Sequence, residues 1–437
     1  MDPFMIGTLS ICLMVALMLF GMPVAISMLT ASIVGLVSTV GWNFTLTTLK
    51  TLPYAVGSNY VYAAIPMFVV MGVIAGSTGI VRDIYRAADL WLARVRGGLY
   101  MATSIASAGF GAINGSTIVG ASLFTRIALP EMLKLGYDRG ASAGIIAAAG
   151  TFAAMIPPSI TMVLYGVLSN VSIGRILMAG ILPGLLTVGA FIIATSLFVR
   201  IWPHWAPQVQ EKPALSIRLK SLTAVIPISI IAFVIVGGIY SGIISASAAG
   251  AVGAVAVLIL GTLMRRLKVK DVTSGLSESA QTTAMMFLII MGGLAFSRML
   301  LMTGFIDTLL STIQESGVPA WALLLGLVLM YLVLGMLMDP ISMMVVTIPI
   351  VHPLVVGLGY DPVWFAIVMV KLVELSCITP PVGLNLFVVV SAARGLVSSK
   401  DVFKGVLPFV MVELVVLTIL IAFPSITLFM PNLMMGQ

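Results

Sequence analysis

Charge is what this sequence has least of. Only 8% of its 437 residues are Asp, Glu, Lys or Arg, 60% are hydrophobic, and the mean hydropathy of +1.18 lies far above the soluble range. That excludes long soluble domains. Cysteine is nearly absent as well: Cys12 and Cys377 both lie in apolar runs and offer neither a disulfide framework nor metal-ligand spacing, so buried, inert thiols are expected. The two histidines, His204 and His352, sit beside prolines with no partner of metal-ligand spacing. No Gly-Lys dipeptide exists, so nothing fits a P-loop. No nucleophile, base and metal constellation emerges, which leaves an enzyme unsupported.

What is present is apolar sequence in long segments. They fall near 5–20, 24–40, 61–80, 98–129, 139–168, 174–202, 222–240, 243–264, 281–303, 318–352, 361–393 and 403–430. A bilayer core of about 30 Å takes about 20 residues per helix, so the chain has room for roughly ten to twelve crossings of an all-α polytopic membrane protein. The first segment follows an acidic rather than basic lead, "MDPF", and reads as a retained helix, not a cleaved signal peptide. Several segments are too long for one span and too interrupted for one helix. If 98–129 and 318–352 are re-entrant hairpins, most of the 22 Lys and Arg residues fall on the cytoplasmic side, as the positive-inside rule requires, with both termini outside.

An internal repeat supports this topology. "LGYD" occurs at 135–138 and again at 358–361, an offset of 223 that Pro130 and Pro353, Pro157 and Pro380, and Pro158 and Pro381 share. Each half then holds five crossings and one hairpin and enters the membrane from opposite sides. The expected architecture is an inverted-topology repeat with two hairpins and two Pro-broken helices: 1–202 as the first repeat, with hairpin 98–130 and broken helix 139–168; 203–221 as a cytoplasmic linker lying partly on the membrane surface; and 222–437 as the second repeat, with hairpin 318–352 and broken helix 361–393.

The breaks have a chemical reading. A proline inside a helix lacks an N–H and clashes with the carbonyl four residues back, so Pro157 and Pro158 free the carbonyls of Ala153 and Ala154, and Pro380 and Pro381 those of Ser376 and Cys377. In lipid such groups persist only where protein, water or an ion meets them. A hard monovalent cation is one such partner. Oxygen ligands lie close by in Thr151 and Ser159, and in Ser376, Thr379 and Asn385. The hairpin tip "FGAINGSTIVGAS" offers Gly111, Asn114, Gly115, Ser116 and Thr117; its repeat partner "GMLMDPISMM" offers Gly335, Asp339, Pro340 and Ser342. Asp339 is the intramembrane carboxylate most in need of a counter-ion. Lys371 and Glu374, three apart before the second break, read as a helical ion pair, and Arg298 as a snorkelling or paired side chain.

At these residues the chain resembles the large membrane subunit of the tripartite ATP-independent periplasmic (TRAP) transporters, DctM-like, over essentially its whole length. The likeness is most specific in "ALPEMLKLGYD", "MIPPSITMVLYG", "SIGRILMAGILPGLL", "GMLMDPIS" and "ITPPVGLNLFVV". It implies a sodium-driven, elevator-type importer of an organic acid, a carboxylate such as a sialic-acid-like compound, in a bacterial inner membrane. The implied partners are a small DctQ-like membrane subunit and a periplasmic binding protein. Residues 1 to about 60 and 222 to about 280 would be scaffold. Two sodium sites follow by combining resemblance and residues: Gly111, Asn114, Ser116, Thr117, Thr151, Pro157 and Ser159 form the first; Gly335, Asp339, Ser342, Ser376, Thr379 and Gly383 form the second. Substrate would meet Asn114, Gly115, Ser116, Pro340 and Asn385, where N–H groups at broken-helix and hairpin ends suit a carboxylate. Two positions depart from the family's frequent acidic residues: Asn170, and Ala248 in "SASAA". The rival readings are the membrane subunit of an ATP-driven importer and an anion channel.

Overall fold

The computed structural model describes residues 2–207, 213–335 and 338–435, and every regular element among them is helical. Among the described residues, six helices are long and apolar enough to cross a membrane: Tyr60–Ser77, Ile173–Ile201, Ala246–Leu263, Val269–Met302, Pro340–Gly357 and Ser399–Ala422. Two bent pairs raise the number to eight, Arg139–Met155 with Ile160–Ser169 at 45° and Leu215–Ala224 with Ile226–Tyr240 at 43°. Pro3–Leu19, Val24–Val40 and Ala320–Leu334 are shorter apolar helices. With the two bent pairs and the three shorter helices the described residues offer eleven apolar segments, in keeping with the roughly ten to twelve expected. Of the proposed 203–221 linker, Pro203–Trp205 is a turn of 3-10 helix and Leu215–Ser221 a short helix, while 208–212 lie outside the described residues.

The "LGYD" repeat is a stop, turn and start signal. Thr117–Lys134 ends with Gly136 at φ 82°, and the Tyr137 N–H returns to the Met132 carbonyl at 3.0 Å; Pro340–Gly357 ends with Gly359 at φ 89°, and the Tyr360 N–H returns to Val355 at 3.3 Å. Both are left-handed glycine stops that recover a helix's last carbonyls. The aspartate then caps the next helix. Asp138 accepts from the Ala141 N–H at 2.8 Å, and Asp361 from Val363 and Trp364 at 2.7 and 2.9 Å. The two helices that end this way start 223 residues apart and stop 223 residues apart.

The broken helices lie at the centre of the molecule. All residues from Val363 to Ile378 are buried, as are those from Ala141 to Ala149, a pattern of helices covered on every side. Small residues allow the closest packing. A Cβ on Gly405 would stand 1.8 Å from the Gly140 carbonyl oxygen, and one on Gly144 would stand 2.2 Å from that of Gly405, so Arg139–Ala149 and Ser399–Ala422 touch backbone to backbone. On another side, Val24–Val40 and Ala64–Ser77 pack along Val269–Met302.

Candidate ion and substrate site at the hairpin tips

The first hairpin, Gly98–Asn114 and Thr117–Lys134, turns through Gly115 at φ 63° and an extended Ser116. Asn114 is buried, and its Nδ2 donates to the Ser116 carbonyl at 3.0 Å, holding the turn. The tip rests on the first break. A Cβ on Gly111 would meet Ala153 Cα at 2.9 Å, and one on Gly115 would meet the Pro158 carbonyl oxygen at 3.0 Å. Ser107 ties the same arm to the broken helix by donating to the Ala149 carbonyl at 2.7 Å. Thr151, Ser159 and Thr117 are buried beside this contact. Thr151 Oγ1 donates to the Ala148 carbonyl, and Ser159 Oγ caps Ile160–Ser169 by accepting from the Met162 N–H at 3.3 Å. A hydroxyl that gives its hydrogen to a carbonyl keeps lone pairs for a cation.

The second hairpin pairs Ala320–Leu334 with Pro340–Gly357, joined by a hydrogen bond between Tyr331 Oη and Thr347 Oγ1; residues 336–337 of its tip lie outside the described residues. Gly335 makes the contact with the second break, where a Cβ would stand 2.1 Å from Ser376 Cβ. Asp339 is the N-cap of the return arm and accepts from the Ile341 and Ser342 N–H groups at 3.1 Å each, with Pro340 in the first turn where a missing N–H costs nothing. Ser342 is buried, whereas Asp339 is half-buried and lines a cavity of about 630 Å³. That cavity runs between the hairpin and helices Pro3–Leu19 and Val269–Met302, past Met14, Met22 and Thr282.

At both breaks the chain leaves the helix one residue before the proline pair, at Ile156 and Thr379, each extended as pre-proline residues prefer. Both Pro-Pro bonds are cis. Ser376 Oγ donates to Val373 at 2.7 Å and Thr379 Oγ1 to Leu375 at 2.6 Å. The Ser376 carbonyl is not wholly free, because the Thr379 N–H reaches it at 3.4 Å. Gly383 closes the second break: its N–H donates to the Thr379 carbonyl at 3.1 Å, and a Cβ would stand 2.8 Å from the Cys377 carbonyl oxygen. Asn385 joins the two breaks. It is fully buried, its Nδ2 donates to the Ala147 carbonyl at 3.2 Å, and its Oδ1 has no hydrogen-bond partner.

The first tip thus meets the first break at Gly111 and Gly115, and the second tip meets the second break at Gly335 and Ser376, with Gly383 packed within its own break and Asp339 on the cavity side. Lys371 and Glu374 do form an ion pair, at 2.9 Å, but Glu413 from Ser399–Ala422 joins it, a partner 42 residues away that helical spacing does not signal. Arg298 reaches Thr48 Oγ1 at 3.5 Å and is exposed. Gly72 went unmarked in the sequence, yet a Cβ there would stand 2.4 Å from Asn114 Oδ1. Only its place in the small-residue run "MGVIAG" hints at close approach. Of the two departing positions, Asn170 lines a cavity of about 500 Å³ together with Ser245, Ala246 and Ser247, while Ala248 follows them in the chain outside that lining. Among the described residues no group of three or more His, Cys, Asp and Glu is placed to hold a metal ion.

Comparison with known proteins agrees with this architecture. The chain is similar to the C4-dicarboxylate TRAP transporter large permease proteins DctM of Vibrio cholerae, 32% identical over 97% of each chain, and of Pseudomonas aeruginosa, 32% identical over 87% of this chain and 88% of the other. The crystal structure of the Alcanivorax borkumensis YdaH transporter, reported to have an unusual topology, shares the fold with a TM-score of 0.62 at 15% identity, covering 89% of this chain and 90% of that one. Residues 11–426 match the family described as the tripartite ATP-independent periplasmic transporter, DctM component, and the chain belongs to that family of transporter permease subunits.

Proposed function

We propose that this chain is the large permease subunit of a sodium-coupled importer of an organic acid, resident in a bacterial inner membrane. One observation carries the reading. Two hairpin tips rest on two proline-broken helices at matching repeat positions, and Asn385 links the breaks. Backbone broken inside an apolar bundle is tolerated where it lines a site, and paired half-helices near the midplane are how secondary carriers hold ions and anions.

In this reading Na⁺ is a transported substrate. One ion meets Asn114, Ser116, Thr151 and Ser159; the other meets Asp339, Ser342, Ser376 and Thr379. Their charge draws a carboxylate to the tips, where the second Nδ2 hydrogen of Asn385 and the N–H groups beside Gly115 and Pro340 orient it, while Asn385 Oδ1, an acceptor, turns to a cation. The hairpins and broken helices move as one body against Pro3–Leu19, Val24–Val40 and Val269–Met302, an elevator motion. Net inward charge gains about 2.3 kcal/mol per charge per 100 mV of inside-negative potential. The tripartite family supports two partners, a small membrane subunit and a periplasmic protein that delivers the substrate. The similarity to C4-dicarboxylate permeases supports a dicarboxylate or similar acid.

The test is uptake of labelled C4-dicarboxylates and sialic acid into proteoliposomes holding all three components, with inward sodium gradients against potassium controls. Sodium-dependent uptake that Asp339→Ala abolishes is the expected result. Uptake indifferent to sodium overturns the coupling and leaves an ATP-driven permease or a channel to be tested.

A further inference from the structure

Lys371, Glu374 and Glu413 are each 0% exposed, and among the described residues they are the charged side chains that the fold buries completely. They form one cluster. Lys371 Nζ donates to Glu374 Oε2 at 2.9 Å and to Thr187 Oγ1 at 3.0 Å, and it forms an ion pair with Glu413 Oε2. Yet Glu413 Oε1 has no hydrogen-bond partner, whereas Glu374 lies against the Met155 N–H of the first break. Two carboxylates face one ammonium.

Leaving a carboxylate uncompensated in a buried, low-dielectric cluster is costly, and among the described residues no second cation stands there. The groups that face Glu413 are Lys371 and Glu374 on Pro362–Ile378 and the hydroxyl of Thr187 on Ile181–Ile201, with the Cys377 thiol near Glu374. The missing charge must come from outside the chain. We propose that Glu413 binds one monovalent cation from solution, with Lys371 as the fixed internal countercharge. A divalent ion would overshoot neutrality next to an ammonium, so the ligand carries a single charge. A proton and Na⁺ both satisfy that chemistry. Glu413 stands on a different helix from the residues at the hairpin tips. The cluster ties Pro362–Ile378 to Ile181–Ile201 and Ser399–Ala422, so its cation stays with the body that carries the second break.

Charge balance makes the test quantitative. Wild type leaves one negative charge, Glu413→Gln leaves none, and Lys371→Met leaves two. Purified transporter with its small subunit is titrated with radioactive sodium chloride in potassium buffer, and the infrared C=O band of protonated carboxyls is recorded on the same samples. If the ligand is Na⁺, bound sodium falls by one equivalent in Glu413→Gln and rises by one in Lys371→Met. If it is a proton, the sodium count stays level, the acid band disappears in Glu413→Gln and strengthens in Lys371→Met. Should Lys371→Met fail to fold, the near-isosteric Glu413→Gln decides alone. No change in either readout between wild type and Glu413→Gln overturns the inference. Wild type that binds no sodium but shows the acid band sinks the sodium-coupled reading and leaves this site standing.

Discussion

Asn385 Nδ2 donates to the Ala147 carbonyl at 3.2 Å across a sequence separation of 238 residues, and this bond fastens the second broken helix to the first. Ala147 lies in the last turn of Arg139–Ala149, ahead of the first break, and Asn385 in the first turn after the second. Whatever moves one break moves the other. Asn385→Ala strands a buried carbonyl, a loss of about 1–3 kcal/mol. The expected outcome is a lower melting temperature in detergent together with uptake reduced about tenfold or more, since about 1.4 kcal/mol is a factor of ten. Asn385→Ala with wild-type uptake would show that the breaks work independently.

Gly72 gives a sharper separation of site from fold. A methyl group there would overlap Asn114 Oδ1 at 2.4 Å and the Asn114 carbonyl oxygen at 2.9 Å, while one on Gly76, in the same helix, meets nothing within 4 Å. Helix propensity favours alanine at either position by about 1 kcal/mol. Gly76→Ala is therefore expected to be neutral or slightly stabilising with full uptake. Gly72→Ala is expected to displace the first tip, cutting uptake and raising the sodium concentration at half-maximal rate. Equal uptake by the two variants would remove the first tip from the mechanism.

The contrast between these residues also shows what the sequence can reveal. The repeat offset, the proline pairs and the "LGYD" signal are local patterns with local physics: a glycine stop, an aspartate cap, a missing N–H. They read directly. Gly72, Thr187 and Glu413 act through side chains 42 to 184 residues away, on helices that are apolar all round and carry no periodic stripe to orient them. Only the packing of the bundle brings them together. The cavity beside Asp339 is hidden for the same reason, because its walls come from three distant segments.

Outside the spans, the helix Ile80–Leu92 carries a group whose titration bears on stability. Burial first, and the nearby Glu131 second, push the Asp89 carboxyl from 3.8 up to about 6, against the pull of Arg86. Between those values the folded chain holds a proton that the unfolded chain has lost, so stability falls as pH rises through that window and is level above it. Solvent reaches Asp89, which limits the effect to about 1 kcal/mol. Asp89→Asn should remove it. Melting curves at pH 5 and pH 8 are expected to show wild type losing a few degrees at the higher pH relative to the variant. Parallel behaviour of the two proteins would mean that Asp89 ionises freely in the folded state.

The backbone contact between Gly405 and Gly140 sets the tightest limit on substitution. A Cβ at Gly405 would lie 1.8 Å from the Gly140 carbonyl oxygen and 2.1 Å from its carbon, both main-chain atoms that no rotamer change can move aside. Two helices would have to separate. Overpacking a filled core commonly costs about 1–3 kcal/mol, and here the displaced helix, Ser399–Ala422, also carries Glu413 into the buried charge cluster. Gly405→Ala is expected to yield little monodisperse protein by size-exclusion chromatography, whereas Gly189→Ala, where nothing lies within 4 Å, is expected to purify like wild type. A well-folded Gly405→Ala would show that Arg139–Ala149 and Ser399–Ala422 can slide apart, and that the first broken helix is not held rigidly by its neighbour.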